Sequence, residues 1–412
     1  MRTILAFCLT VGVGCGADGS DTEVPNLVAE CEAIDVEPGA PPSDGGDCVT
    51  SQAIGGGSMA VVRAACTDPS ITMMGDKPHV VMVPETVTRD VLWLHLVGSG
   101  GTPTNTKNLG KAAISQGYRY IALAYTNEPS VGARCRCGTS YRDPSCEGLV
   151  RGEILYGGDY TSSFNMEADE AIVPRLEALL EWLATEQPQG GWGAFLEADG
   201  SPRWSSIAVS GFSQGGGMAA MIARDHPVDR AVYFSLGSGS TLDVLVDPSV
   251  YQECGDASEC RTDTSVCCPI DAANCEATPA EGGICLDVVP AVWTHHGRDV
   301  DRDGTGDGGV ETRATPGDRQ FAFVHRDEFA WEYAPVSFEE WGMGSREDFI
   351  DADSATPPFA ADARLFSTAL TPRGDCSEHQ AMGPDGCQPL RGDGKPALWD
   401  GWIHAMTADL GS

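Results

Sequence analysis

Ser213 stands at the centre of Gly211-Phe212-Ser213-Gln214-Gly215, the one G-x-S-x-G run in the chain. A serine hydroxyl is a weak nucleophile until a neighbouring base takes its proton and something holds it clear of the backbone. A short apolar run (206–210) precedes this serine, and small residues with helical character (215–223) follow it. That context predicts a sharp strand-to-helix turn, with Ser213 above the strand end and a helix N-terminus beside it to stabilise developing negative charge. A glycine-rich turn with a bystander serine is the plainer alternative. A second constellation is Asp299-Val300-Asp301-Arg302-Asp303-Gly304, with carboxylates at the first, third and fifth positions of a calcium loop and glycine where such a loop bends. Asp307 can add a ligand, but Val310 stands where the twelfth-position acid belongs and Glu311 is one place late. Asp299, Asp301, Asp303 and Asp307 are therefore candidates for a structural Ca2+, against a solvated acidic loop. No cofactor is expected for catalysis.

The elements that would position Ser213 are β-like runs alternating with helical ones. Strands are expected at 79–83, 91–97, 120–125, 206–210, 231–236, 320–324 and 364–370. Several of them are apolar enough to be buried on both faces. Helices are expected at about 106–116, 166–186, 215–223 and 396–410. This order predicts an α/β architecture, a mainly parallel sheet with helices on both faces. Residues 241–318 break the alternation. They carry Cys254, Cys260, Cys267, Cys268, Cys275 and Cys285 among Asp, Thr, Ala and Gly, and read as a disulfide-rich insertion with few core-forming residues.

Three features together resemble the α/β-hydrolase superfamily over about residues 80–410: the Ser213 turn, the run His95-Leu96-Val97-Gly98-Ser99-Gly100-Gly101, and the order of elements after it. Tyr156-Gly157-Gly158-Asp159 and Phe323-Val324-His325 are similar to segments of secreted bacterial esterase- and lipase-like hydrolases. The resemblance implies a nucleophile, an acid and a histidine in that chain order. Ser213 is then the nucleophile. The acid should follow the strand at 320–324, where Asp327 fits best and Glu328 is the neighbouring rival. The histidine should follow the last strand, where His379 stands in a loop that a Cys376–Cys387 bridge could close; His404 is the rival, and His325, His295 and His296 fit the order less well. The resemblance also implies an oxyanion hole from the Gln214 N–H and one from Gly98 or Ser99.

The 412 residues carry 26 basic and 60 acidic side chains, a formal charge of −34. The only lysines are Lys77, Lys107, Lys111 and Lys395. This charge argues against nucleic acid and disfavours anionic lipid surfaces as electrostatic partners, because both need a cationic face. The 42% hydrophobic content supports a core. Residues 1–15 read as a signal peptide. Its end, Val11-Gly12-Val13-Gly14-Cys15, resembles a lipobox with glycine where leucine is usual, so Cys15 is a candidate lipid anchor and plain secretion the alternative. Residues 16–50 read as a flexible tether, and 51–412 as the hydrolase domain with its insertion. The protein is thus expected outside the cytosol, as an outer-membrane or cell-surface lipoprotein or a secreted protein. Sixteen cysteines, even in number once Cys8 and Cys15 are set aside, then read as disulfides; Cys31, Cys48 and Cys66 form one group and Cys135, Cys137 and Cys146 another. The expected activity is hydrolysis of a small-molecule or polymeric carboxylic ester through a Ser-His-Asp acyl-enzyme. A peptidase or amidase on the same fold and a non-catalytic surface binding protein are the alternatives. The oligomeric state is not legible in the chain.

Overall fold

The computed structural model describes residues 48–135, 146–158, 160–161, 166–236, 240–242, 253–254, 265–269, 283–290 and 313–410. The first strands are β1 (Val49–Ile54), β2 (Gly57–Arg63), β3 (Pro78–Pro84), β4 (Leu92–Leu96), β5 (Arg119–Leu123), β6 (Ile207–Phe212) and β7 (Ala231–Phe234). Four more follow: β8 (Ser240–Leu242), β9 (Glu253–Cys254), β10 (Ser265–Pro269) and β11 (Gly283–Pro290). The chain then returns to β12 (Gln320–His325), β13 (Ile350–Asp351) and β14 (Leu365–Thr368). The helices are α1 (Ala64–Thr67), α2 (Lys107–Ser115), α3 (Val131–Cys135), α4 (Cys146–Tyr156), α5 (Ile172–Glu186), α6 (Gln214–Asp225), α7 (Ala330–Glu340), α8 (Glu378–Ala381) and α9 (Trp399–Thr407).

One large sheet runs β1-β2-β3-β5-β4-β6-β7-β12-β14-β13. The pairs β1/β2, β2/β3 and β3/β5 are antiparallel. From β5 to β13 every pair is parallel. Side chains alternate across this sheet, so each buried strand feeds two cores. On β4, Leu92, Leu94 and Leu96 join Val150 and Ile154 of α4, Leu176, Leu180 and Leu183 of α5 and Met218 of α6. Trp93 faces the other way, with Tyr120, Phe234, Phe323 and Phe366, under Leu109 and Ala113 of α2 and Trp402 and Met406 of α9. This is the α/β-hydrolase fold, with helices on both faces of a mainly parallel sheet.

The β1–β2 hairpin begins inside the stretch expected to be tether, since Val49 and Thr50 already pair with Val62 and Val61. In the expected insertion, β10, β11 and β8 form a separate antiparallel sheet, with β9 paired to β11. Disulfides join Cys48 to Cys66, Cys135 to Cys146 and Cys376 to Cys387. The signal peptide with Cys15, most of the tether, and Asp299, Asp301, Asp303 and Asp307 lie outside the described residues.

Candidate active site

Strand β6 ends at Phe212, and α6 starts at Gln214, so Ser213 alone makes the turn. Its backbone sits at φ 52° and ψ −117°, a region that costs an L-residue roughly 1–3 kcal/mol and persists only where the surroundings force it. Here they do. A Cβ on Gly211 would lie 2.0 Å from Gly215 O, and one on Gly215 would lie 2.1 Å from Leu96 O. Only hydrogen fits at either position, so the two glycines of the motif are steric requirements of the turn. The Ser213 N–H donates to Phe234 O at 2.9 Å and ties the turn to the end of β7.

The serine hydroxyl meets a histidine. Ser213 Oγ lies 2.9 Å from His379 Nε2, and His379 Nδ1 lies 2.7 Å from Glu328 Oε2. An ionised carboxylate only accepts, which places the ring proton on Nδ1 and leaves Nε2 free to accept from the serine. Glu328 is buried, and its Oε1 accepts the His325 N–H at 2.8 Å. Phe212 and Phe329 flank the imidazole, with ring centroids 5.1 and 4.9 Å from it. These groups line up because β6, β7, β12 and β14 are neighbours in the parallel sheet and their C-terminal ends lie along one edge. Ser213 follows β6, Glu328 follows β12, and His379 follows β14.

The expected acid, Asp327, is not brought to this line. After β12 the chain turns tightly, with the Glu328 N–H returning to His325 O at 3.3 Å. That turn leaves Asp327 exposed, its N–H donating to His325 Nδ1, and folds residue 328 back over the strand end. The rival histidine His404 lies among Phe321, Phe359 and Phe366, with its Nε2 3.1 Å from Ala363 O, and takes no part. His325 Nε2 is likewise spent on Leu370 O at 2.9 Å.

His379 lies in a short capped helix rather than an open loop. In α8, Ser377 Oγ accepts the Gln380 N–H while Gln380 Oε1 accepts the Ser377 N–H. The segment is closed by Cys376–Cys387 and docked by Asp385, whose carboxylate accepts the Lys107 and Asn108 N–H groups at 2.8 and 2.6 Å. Those are first-turn donors of α2, which have no carbonyl of their own helix to meet. Burial raises the Asp385 carboxyl above the usual range, against the pull of these two bonds.

Beside Ser213, the Asn127 amide donates to Gly98 O at 2.6 Å and Gly101 O at 2.9 Å and so shapes the Gly98–Gly101 turn. In that turn the Gly100 N–H donates to Asn127 O and the Gly101 N–H to Gly98 O. Ser99 Oγ donates to Gln214 Oε1 at 2.9 Å, joining the turn to the start of α6. Two residues at the site carried no signal in the sequence. Asp385 acts from a loop with no periodicity. Ser235, just past β7, contacts both Glu328 Oε2 and His379 Nδ1.

No protein-family model matches the chain, and no curated protein does. Among solved structures, it is similar to an S-formylglutathione hydrolase from Agrobacterium tumefaciens (14% identity, 73% of this chain and 88% of that one, TM-score 0.35). It is also similar to carboxyl esterase 2 from Tuber melanosporum (11%, 89% and 90%, 0.34) and to an inhibited esterase B from Lactobacillus rhamnosis (12%, 46% and 50%, 0.24). The last match spans half the length of that esterase.

Proposed function

We propose that the protein is a serine hydrolase that cleaves carboxylic esters through an acyl-enzyme, with Ser213 as nucleophile, His379 as base and Glu328 as the acid. The observation that carries this reading is the unbroken hydrogen-bonded line Ser213 Oγ–His379 Nε2 and His379 Nδ1–Glu328 Oε2, at 2.9 and 2.7 Å. The acid is a glutamate, in place of the expected aspartate.

In this mechanism His379 Nε2 takes the Ser213 proton as Oγ bonds to the ester carbonyl carbon. Glu328 holds the imidazole in the tautomer that can accept, and stabilises the imidazolium that forms. The oxyanion meets the Gln214 N–H, which opens α6 and has no preceding carbonyl of its own helix. The second donor comes from Gly98 or Ser99, since the Gly100 and Gly101 N–H groups are already engaged. The imidazolium passes its proton to the departing alkoxide, which leaves as the alcohol. Water, activated by the same imidazole, then releases the acid and restores Ser213.

The same reading takes the protein to be exported, and the three disulfides among the described residues support it. Cys15→Ala tests the anchor: a lipid-anchored protein leaves the membrane fraction in that variant, and an unchanged distribution rejects the anchor. For the activity, fluorophosphonate labelling of the folded protein, read by peptide mass spectrometry, should give one adduct on Ser213. Ser213→Ala should remove both the adduct and ester turnover. Hydrolysis that survives Ser213→Ala rejects the reading.

A further inference from the structure

Ser235 has no step in the acyl transfer just described, yet it lies in the middle of the groups that perform it. It is fully buried, and its backbone stands at φ 51°. Met74, Ser213 and Ser235 are the non-glycine residues with positive φ among those described, and two of the three are in this site. Glycine would hold that backbone without strain, so the side chain calls for a reason. The Ser235 N–H donates to Phe323 O at 2.8 Å, fixing the residue between the ends of β7 and β12. Its hydroxyl donates to Glu328 Oε2, and Oγ stands 2.7 Å from His379 Nδ1. One hydroxyl therefore touches the carboxylate and the imidazole at the atoms where they meet.

We propose that Ser235 is a positioning residue for hydrolysis, holding Glu328 Oε2 on His379 Nδ1. This rests on the reading of Ser213, His379 and Glu328 as the catalytic line. The terminal torsion of a glutamate is broad and has no steep staggered wells. Its carboxylate is located only by what grips the two oxygens. The His325 N–H grips Oε1; Ser235 grips Oε2. Without Ser235, Oε2 is held only by the imidazole that it must itself orient. The Ser235 oxygen also offers a lone pair toward the Nδ1 proton, which carries more charge once the imidazolium forms. Both effects act on the transition state rather than on bound substrate, so they belong in kcat and not in KM.

The test uses the full chain and p-nitrophenyl butyrate, with Ser235→Ala and Ser235→Gly as separate hydroxyl deletions. The glycine variant suits the backbone and guards against misfolding of the alanine one. Both should lower kcat about tenfold at unchanged KM, and on a Glu328→Gln background the further loss should be under about twofold, because the two groups act as one unit. An unchanged kcat, a loss confined to KM, a loss fully additive with Glu328→Gln, or failure of both variants to fold overturns the proposal. Fluorophosphonate labelling separates the two levels of failure. An unlabelled Ser213 removes the catalytic reading and this inference with it. A labelled Ser213 and a disabled Glu328→Gln beside fully active Ser235 variants remove this inference alone.

Discussion

Glu328 and Asp327 are adjacent carboxylates with opposite surroundings, one buried on an imidazole and a backbone N–H, the other in solvent. Glu328→Gln should therefore lower kcat for ester hydrolysis by roughly 10⁴-fold, the loss seen when an orienting carboxylate becomes an amide. Asp327→Asn should stay within about twofold, since nothing at the reacting atoms meets that side chain. Steady-state kinetics on the two purified variants decides between them, and the reverse ranking would return the acid role to Asp327. The sequence favours Asp327, the residue that the structure leaves in solvent, and the misassignment has a physical reason. The strand before them and the need for an acid after it are written in the apolar run Phe321-Ala322-Phe323-Val324, but which of two consecutive side chains turns inward depends on the turn after His325. Ser213 and His379 were legible because a motif marks one and chain order the other. Ser235 was not, because a lone serine past a strand looks like any other.

At the scale of elements, the site depends on how its loops are pinned. Asp385 reaches from the His379 segment to cap α2. Asp385→Ala should cost about 1 kcal/mol of stability, the usual loss on removing a cap, and lower kcat by loosening α8. A stability loss with kcat unchanged would show that Cys376–Cys387 and the Ser377 cap suffice. Two strands impose a pH limit of their own. His79 on β3 and His95 on β4 are buried, and burial lowers both imidazoles from 6.5 to about 3. His79 Nδ1 accepts the Ala124 N–H at 3.0 Å, a role that only the neutral ring can fill. The unfolded chain binds these protons below about 6.5 and the folded one does not, so their contribution is intact above that pH and is lost as pH falls toward 3. Each histidine then steepens the acid limb of stability by about 1.4 kcal/mol per pH unit. His95→Gln should flatten that limb by about this much in urea unfolding between about pH 4 and pH 6; an unchanged slope would mean that His95 is protonated in the fold. The sequence showed these strands well, because burial on both faces writes continuous apolar runs. It hid the β1–β2 hairpin, whose Val49–Ile54 strand is largely exposed, and α7, which carries Pro335 inside it.

For the whole molecule, a net charge of −34 works against compactness. Salt shortens the screening length from about 30 Å at 0.01 M to about 8 Å at 0.15 M. The melting temperature should rise by about 1 °C for each kcal/mol of repulsion that salt relieves over that range, as the unfolding entropy of a chain this long implies. A scan at the two salt concentrations checks this, and a flat result would mean that the charges are spread too widely to repel. The parallel half of the sheet has a consequence in time as well as in space. Ser213 and Glu328 precede β14 in the chain, while the imidazole comes after it. A polypeptide made only as far as residue 364 holds Ser213 and Glu328 and lacks His379. If Ser213, His379 and Glu328 act as proposed, a growing chain stays silent until the segment after β14 has been made and set beside the other two.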